Sequence, residues 1–375
     1  LQPLVREHAD ATEAARRLAE PVVAAMADAG LYRIAAPADV GGGETEPETQ
    51  IRVIEAVSEA DGATGWTLMI GIENTGFLGG AIGLETGREI FADPRLVVAG
   101  ALNPLGRAVA EAGGFRASGR WPFVSGCESA QWFWGQCIVW EGDERARESD
   151  GRVRLIEIVV PRGDFRIHDT WHTSGMRGSG SHDVEVDDLF VPERLVTTVS
   201  NHGLRSEGTL YRMPLYSRLA YNKVGVATGI ARAAIDRFVE LASDKTPRAS
   251  KSRLRQRADA QRAVAEAEAL LESARAYVFD TVGNVWRASQ AGDEVTLADR
   301  ARLQLACSHA CSAAVRAVEK VHAAAGTSAN FLSSPLERCF RDVHVVRQHI
   351  MVSGQWIDAV GRVMLGLESG SPLLI

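Results

Sequence analysis

The stretch Pro335-Leu-Glu-Arg-Cys-Phe-Arg-Asp-Val-His-Val-Val-Arg-Gln-His349 decides the fold assignment of the whole chain. Its proline suits the first turn of a helix, where no helical hydrogen bond is lost. Glu337 stands four residues before Arg341, and this spacing predicts an ion pair on one helix face. Arg338 and Asp342 have the same spacing and predict a second pair. The stretch is therefore expected to open a long helical run over 336–366.

His349 is the most informative residue of this run. Continued at helical spacing from Asp342, an apolar stripe has His349 as the only ionisable group in its middle. His344 lies about 140° away around the helix and is expected to face elsewhere. A histidine in such a stripe is either a packed core residue or a functional one, because a titratable group in an apolar site is only probabilistic support for function.

The pattern Pro-x-x-Arg-x-x-Arg-Asp follows a small-residue turn, Ala-Ala-Ala-Gly-Thr at 323–327. Together they resemble the C-terminal signature of the acyl-CoA dehydrogenase superfamily. In its dehydrogenases this helix leads to a Tyr-Glu-Gly-Thr-like segment, whose glutamate abstracts the substrate α-proton. Here residues 347–351 read Arg-Gln-His-Ile-Met and contain no carboxylate. Arg-Asp-x-His followed by Gln-His is instead similar to the oxygenase branch, the two-component flavin-dependent monooxygenases.

Composition limits the class of protein and its partners. The net charge of −7 argues against nucleic acid or an anionic membrane as the main partner. Five cysteines, an odd number without paired short spacing, favour a reduced cytoplasmic location. Cys307 and Cys311 are expected to pack within a helix, because no second ligand pair follows, and no metal site is predicted. The apolar run at 65–84 contains Glu73 and Asn74, so a buried helix is favoured over a membrane span.

The order of patterns along the chain predicts three domains. Residues 1–93 read as helices and residues 94–205 as a small β-domain, with strands expected at 115–121, 132–140, 153–160 and 183–191. Residues 206–375 show long runs with apolar steps of three and four, typical of a four-helix bundle. The predicted fold class is α+β, mainly α, and this order resembles the acyl-CoA dehydrogenase architecture over essentially the whole chain.

Two segments of the β-domain match the family's flavin-contacting segments. The first, Gly-Arg-Trp-Pro-Phe-Val-Ser-Gly-Cys at 119–127, implies that Trp121 and Phe123 border the flavin and that Ser125 lies beside its N5 atom. The second, at 171–181, implies polar contacts from Thr173 and Ser174. In the absence of the resemblance, both segments are ordinary turn or hairpin connections.

The family resemblance also implies cofactor contacts between subunits. Family members pair through the C-terminal bundle, and the alanine-rich run at 301–325 has more small apolar surface than one subunit needs. A homotetramer is therefore expected. In it, Arg253 and Arg255 would reach the flavin phosphate of a neighbouring subunit, with Gly326 and Thr327 also bordering the cofactor.

The function that the resemblance implies is that of an oxygenase component. It would use reduced flavin (FMNH2 or FADH2) and O2, through a C4a-hydroperoxyflavin, to hydroxylate an aromatic, phenolic substrate. His349 would act as the substrate base, since imidazole titrates near neutral pH. No nicotinamide-binding motif is present, so a separate NAD(P)H:flavin reductase is expected.

Two alternative functions remain open at this point. The first is nitrogen or sulfur oxygenation, for example an amino-sugar N-hydroxylase of the same fold. The second is a dehydrogenase with a displaced base. Three glutamates considered for that role are expected on the bundle surface instead: Glu240, Glu266 and Glu268.

Overall fold

A computed structural model of the protein describes residues 1–248 and 250–374. Ala249 and Ile375, both within the expected C-terminal bundle, lie outside the described residues. The helices are α1 (Gln2–Ala15), α2 (Glu20–Asp28), α3 (Pro47–Ser58), α4 (Gly62–Ala81), α5 (Leu84–Ile90), α6 (Val199–His202), α7 (Thr209–Arg212), α8 (Leu215–Asp244), α9 (Ala258–Ala291), α10 (Leu297–Ala325), α11 (Pro335–Arg347) and α12 (Gln355–Met364). The strands are β1 (Val98–Glu111), β2 (Gly114–Val124), β3 (Trp132–Glu141), β4 (Glu144–Arg145), β5 (Leu155–Pro161), β6 (Arg166–His168), β7 (His182–Pro192) and β8 (Val196–Thr197).

The strands form one sheet in the middle of the chain. Seven follow the order β6-β7-β2-β1-β3-β5-β8, and β4 pairs with β3 beside this path. Neighbouring strands are antiparallel except β1 and β3, which are parallel. The four expected strands correspond to β2, β3, β5 and β7. Helices precede and follow the sheet in the chain, in the expected order.

The sequence pattern did not predict β1, although it is the longest strand. Asn103 and Pro104 lie at its middle, and glycines at 100 and 106 interrupt the alternation of apolar and polar residues. The strand accommodates them because its register against β3 shifts between Ala101 and Gly106, where the backbone bulges.

Two hydrophobic cores hold the helices and the sheet together. The larger core unites residues of the N-terminal helices, such as Met26 and Trp66, with the inner faces of α8, α9 and α10. The smaller core packs the sheet against α5 and the second half of α4, where Phe77 and Leu78 are buried. The expected domain boundaries after residues 93 and 205 stay a prediction, because the first segment shares its core with the third.

α4 contributes to both cores because it is apolar around nearly its whole circumference. It corresponds to the apolar run that was expected to form a buried helix. Across residues 1–248 and 250–374, no helix combines the length and the apolar character that a membrane crossing requires.

The fourth helix of the bundle is interrupted. One continuous helix over 336–366 was expected, but α11 and α12 are separated by turns at residues 348–354. α10 stabilises these turns, since Gln304 Nε2 donates a hydrogen bond to the carbonyl of Met351 at 2.5 Å. The expectation of a single helix was wrong, and His349 lies in the interruption.

Only one of the two ion pairs expected on α11 forms. Arg341 and Glu337 pair at 2.6 Å. Arg338 instead pairs with Glu13 on α1 at 2.7 Å. Asp342 is buried, with 3% of its surface exposed, and accepts a hydrogen bond from a backbone amide outside the helix. The second pair is therefore absent because each partner has a better contact elsewhere.

Trp121 lies inside the core of the sheet. Its indole is fully buried, packs against Phe133 with ring centroids 5.1 Å apart, and donates from Nε1 to the carbonyl of Gln136 at 2.8 Å. Gly106 and Gly119 leave room for the ring, since a β-carbon on either would collide with it. The expected contact between Trp121 and a flavin is contradicted, because no face of the ring is exposed.

Replacing Trp121 by alanine should therefore lower the stability of the fold strongly. Removing a buried tryptophan leaves a cavity and typically costs about 3–5 kcal/mol in the free energy of unfolding. Urea denaturation followed by circular dichroism measures this change.

Leu105→Ala on β1 is the matched control, because that side chain is half exposed. It should change the unfolding free energy by less than about 0.5 kcal/mol. A Trp121→Ala protein as stable as this control would contradict the assignment of Trp121 to the core.

Candidate active site

The indole of Trp66 brings together the two residues expected to be catalytic. Trp66 lies near the N-terminus of α4, whose N-cap residue is Asp61. Its Nε1 donates a hydrogen bond to Ser125 Oγ at 3.0 Å. Its ring packs edge-on against the imidazole of His349, with ring centroids 5.4 Å apart. Three separate segments of the chain meet at this point, and no sequence pattern predicted a role for Trp66 in the site.

Three serine hydroxyls form a chain that begins at Ser125. Ser125 Oγ lies 2.7 Å from Ser181 Oγ, which lies 2.7 Å from Ser179 Oγ. Ser179 Oγ donates to the carbonyl of Met176 at 2.8 Å. All three serines are more than nine-tenths buried, so water does not compete for these bonds. The segment at 171–181 was expected to border a flavin, but Ser179 and Ser181 were not singled out.

Met176 ends this chain in a turn that Asp342 stabilises. Met176 has φ 53°, in the left-handed region that residues other than glycine rarely adopt. Its backbone N–H donates to Asp342 Oδ1 at 2.6 Å. Its carbonyl accepts from Ser179 and also from Trp171 Nε1, the latter at 2.8 Å. Asp342 of α11 therefore holds in place a turn that precedes β7.

The carboxyl group of Asp342 is buried next to a second carboxyl, that of Asp61. Burial, and to a smaller extent the charge of Asp61, raise the pKa of Asp342 to about 7, against the hydrogen bond from Met176. Burial also raises the pKa of Asp61, while hydrogen bonds from Thr64 oppose that shift. Both carboxyls border a cavity of about 230 Å³ that α1, α8 and α11 help to line.

His349 is partly buried in the interruption between α11 and α12. The backbone N–H of Met351 donates to its Nδ1 at 3.3 Å, so the neutral ring carries its proton on Nε2. Burial lowers the pKa of His349 to about 3, and the ammonium group of Lys223 contributes to the lowering. His349 is therefore uncharged at physiological pH. His344 lies on another face of α11, beside Glu319, as expected.

The ammonium group of Lys223 belongs to a buried ion pair between α4 and α8. Lys223 Nζ lies 2.5 Å from Glu73 Oε2, and both side chains are more than nine-tenths buried. Burial lowers the pKa of Lys223 and raises that of Glu73, and each charge opposes the shift of the other. From the sequence, Glu73 was expected only to be a polar residue in an apolar helix.

The glutamates expected on the bundle surface do lie there, each in an ion pair: Glu240, Glu266 and Glu268.

Phe123 exposes its aromatic ring at the surface of the sheet. It lies where β2 bulges against β7, has φ 63°, and is 69% exposed. Its ring meets Trp171 edge-on, with centroids 6.1 Å apart. A backbone conformation of this kind is costly and is often kept at a ligand site. Thr173 and Ser174 belong to the same segment as Trp171; the Thr173 hydroxyl donates to a carbonyl of its own turn, and Ser174 is exposed.

The other residues expected to bind the cofactor lie towards the C-terminal end of α8: Arg253, Arg255, Gly326 and Thr327. Arg253 donates to the carbonyl of Ser243 at 2.8 Å, and Lys245 Nζ donates to the carbonyl that precedes Gly326 at 2.6 Å. Lys223 and Ser243 are about 30 Å apart along α8, at 1.5 Å per residue. These four residues therefore do not join the cluster around the Trp66 indole within one chain.

Comparison with known proteins identifies the architecture. The family model described as acyl-CoA dehydrogenase, N-terminal domain, matches residues 1–82, and that described as acyl-CoA dehydrogenase, C-terminal domain, matches residues 222–354. The chain is 33% identical over 355 residues to indole-3-acetate monooxygenase from Pseudomonas putida, which covers 94% of this chain and 88% of that protein. The chain belongs to the flavin-dependent monooxygenase branch of the acyl-CoA dehydrogenase superfamily.

Further relatives support the same assignment for this monooxygenase. It is 28% identical to the oxygenase subunit HsaA of a flavin-dependent monooxygenase from Rhodococcus jostii, over 93% of this chain and 92% of that one. The crystal structure of 3-HSA hydroxylase from Rhodococcus sp. RHA1 superposes with a TM-score of 0.89 at 26% identity, covering 100% of this chain and 97% of the other. The expected fold class and the expected role as an oxygenase component are confirmed.

Replacing Asp342 by asparagine should remove one pH dependence from the stability of this monooxygenase. Asparagine keeps an oxygen acceptor for the Met176 amide but cannot ionise. The folded-state pKa of Asp342, about 7, lies above its ordinary value. The stability that this group contributes is therefore fully present below about pH 4 and is lost as the pH rises towards 7. The difference in unfolding free energy, Asp342→Asn minus wild type, should increase from pH 4 to pH 7 and stay constant above pH 7.

Urea denaturation at several pH values measures this difference. Asp236→Asn, at an exposed aspartate of α8, is the control and should follow the wild type at every pH. A difference between Asp342→Asn and wild type that does not change over this range would contradict the raised pKa.

Proposed function

We propose that this monooxygenase hydroxylates an aromatic, phenolic substrate with reduced flavin and dioxygen at the site around Trp66. The observation that carries the proposal is the contact of Ser125 and His349 with one indole. Ser125 provides a hydroxyl for the flavin, and His349 provides an uncharged imidazole for the substrate. Relatives named for indole-3-acetate and for resorcinol support an aromatic substrate.

The residues present fit a flavin between β2 and the bundle. Phe123 offers an exposed aromatic ring to a planar ligand, and Ser125 has hydrogen-bonding capacity left beyond its contacts with Trp66 and Ser181. When bound, the reduced flavin supplies the activation of dioxygen and the delivery of one oxygen atom. The proposal covers FMNH2 and FADH2 alike; one relative, from Rhizobium, is named an FADH(2)-dependent resorcinol hydroxylase.

His349 acts on the substrate as a hydrogen-bond donor in this proposal, and not as the general base that the resemblance implied. Its Nδ1 is occupied by the Met351 amide, so Nε2–H is the group left for a ligand. A pKa of about 3 makes the ring a poor proton acceptor at neutral pH. A donor at this place stabilises the phenolate form of the substrate, whose proton passes to solvent water, and the ring of a phenolate is richer in electrons than that of the neutral phenol.

A separate NAD(P)H:flavin reductase supplies the reduced flavin in this proposal. The chain contains no nicotinamide-binding motif of its own. Relatives named as an oxygenase subunit and an oxygenase component support this division of labour.

A homotetramer would place the residues at the far end of α8 against a neighbour's flavin. Arg253 and Arg255 are exposed there, and the turn at 326–327 lies close to the same end. Phe331 and Leu332, just after this turn, are 65% and 79% exposed, which leaves apolar surface for a partner to cover. Each chain would then complete the cofactor site of another.

Light scattering tests the tetramer. The protein should have four times the mass of the 40.4 kDa chain. The double variant Arg253→Ala/Arg255→Ala should keep this mass but bind reduced flavin about 10-fold more weakly, since it loses charge-assisted phosphate contacts. Arg166→Ala on β6, at an exposed arginine, is the control and should bind as the wild type does. A stable monomer at micromolar concentration would contradict this part of the proposal.

Substitution of His349 tests the proposed chemistry. His349→Ala should still consume reduced flavin and O2 but release mostly H2O2, with hydroxylated product falling about 10²–10³-fold, as on loss of one donor at a developing charge. His349→Gln, which keeps an N–H donor, should recover part of this loss. Product and H2O2 are measured per chemically reduced flavin, without a reductase.

The pH profile separates the two roles of His349. As a donor with a pKa of about 3, it should produce no change in product yield between pH 5 and 8. Normal hydroxylation by His349→Ala would contradict the proposed donor and show that His349 has only a packing role. A His349→Gln protein as inactive as His349→Ala, together with a wild-type profile that falls below pH 7, would restore the general base.

A further inference from the structure

The hydroxyl chain at Ser125 has only one possible direction. Each serine hydroxyl carries a single proton. Ser179 donates its proton to the carbonyl of Met176, which can only accept. Ser181 must therefore donate to Ser179, and Ser125 must donate to Ser181.

Trp66 occupies the other side of Ser125 Oγ. An indole Nε1–H can only donate, so it uses one of the two lone pairs of the serine oxygen. The proton of Ser125 is committed to Ser181, and one lone pair is left. Ser125 can therefore accept a hydrogen bond from a ligand but cannot donate one.

Reduced and oxidised flavin present opposite groups at N5, an N–H when reduced and a lone pair when oxidised. We infer that the chain from Ser125 through Ser181 to Ser179 makes the site selective for reduced flavin, with Ser179 and Ser181 as positioning residues. The inference rests on the proposed function, in which Ser125 lies beside N5. Because Ser125 Oγ can only accept a hydrogen bond, it stabilises reduced flavin, which has an N–H at N5. Oxidised flavin has a lone pair at N5, and the lone pair of the serine oxygen repels it.

The residues around the three linked serine hydroxyls keep the direction of their hydrogen bonds fixed. The terminal carbonyl belongs to Met176, whose turn is held by Asp342 from α11. Ser181 and Ser179, which set the direction, are 4% and 1% exposed, so bulk water does not supply them with alternative partners. Tighter binding of reduced flavin than of oxidised flavin suits a protein that receives the flavin reduced and releases it oxidised.

Ser179→Ala tests the inference. Without the Ser179 oxygen, the proton of Ser181 can turn towards Ser125, and Ser125 can then donate to oxidised N5. The ratio of the Kd for oxidised flavin to the Kd for reduced flavin should fall about 10-fold, the effect of one hydrogen bond. Ser181→Ala should shift the ratio in the same direction, because it frees the proton of Ser125 directly.

Two measurements report this ratio without turnover. Fluorescence titration gives the Kd of oxidised FMN and FAD, and anaerobic titration gives that of the dithionite-reduced forms. The midpoint potential of bound flavin should fall by about 30 mV in each variant, the equivalent of a tenfold change for a two-electron couple. Ser58→Ala is the matched control, because this buried hydroxyl donates to a carbonyl of α3 and is not linked to the hydroxyls of Ser125, Ser181 and Ser179.

The outcomes separate the inference from the proposed function. A lower ratio in either serine variant, with Ser58→Ala unchanged, supports the inference. Wild-type ratios in both variants, with melting temperatures equal to that of the control, overturn it and leave the proposed function standing. A wild-type protein that binds reduced flavin no more tightly than oxidised flavin also overturns it. Absence of any reduced-flavin binding overturns the proposed function and the inference together.

Discussion

The hydrogen bond between the Asp342 carboxyl and the backbone amide of Met176 is the contact on which the candidate site depends. It joins α11 of the bundle to the turn that leads into β7, so it links the bundle to the sheet. The left-handed conformation of Met176 is costly without such a partner. The burial of the carboxyl is also costly, and the amide offsets part of that cost. Each unfavourable feature is stable only in the presence of the other.

The sequence predicted the long helices because their periodicity is local. Alanine and leucine recur at steps of three and four along α9 and α10, and a helix buries such a face wherever it packs. The interruption after α11 could not be predicted in this way. It is stabilised by Gln304 of α10, a residue distant in sequence whose amide replaces a helical hydrogen bond. The periodicity of a segment contains no information about such contacts with distant residues.

Motif similarity predicted part of the candidate site, and the errors have two causes. Motif similarity found Ser125 and His349, because both belong to segments with a recognisable order of residues. Trp121 and Phe123 are two residues apart, so a regular strand would place both on one face. The bulge in β2 turns Phe123 outwards and leaves Trp121 in the core. Trp66 could not be assigned to the site, since its role exists only where three segments meet.

The participation of α4 in both hydrophobic cores has a consequence for how the protein comes apart. A helix whose two halves are buried in different cores transmits a loss of packing from one to the other. The sheet and the bundle are then one cooperative unit, although they occupy separate stretches of the chain. Cleavage in the linkers around the sheet would separate the sheet from the buried side chains of α4 and α5 that complete its core. The integrity of the sheet and that of the bundle, which meet at the candidate site, are thus a single property of the molecule.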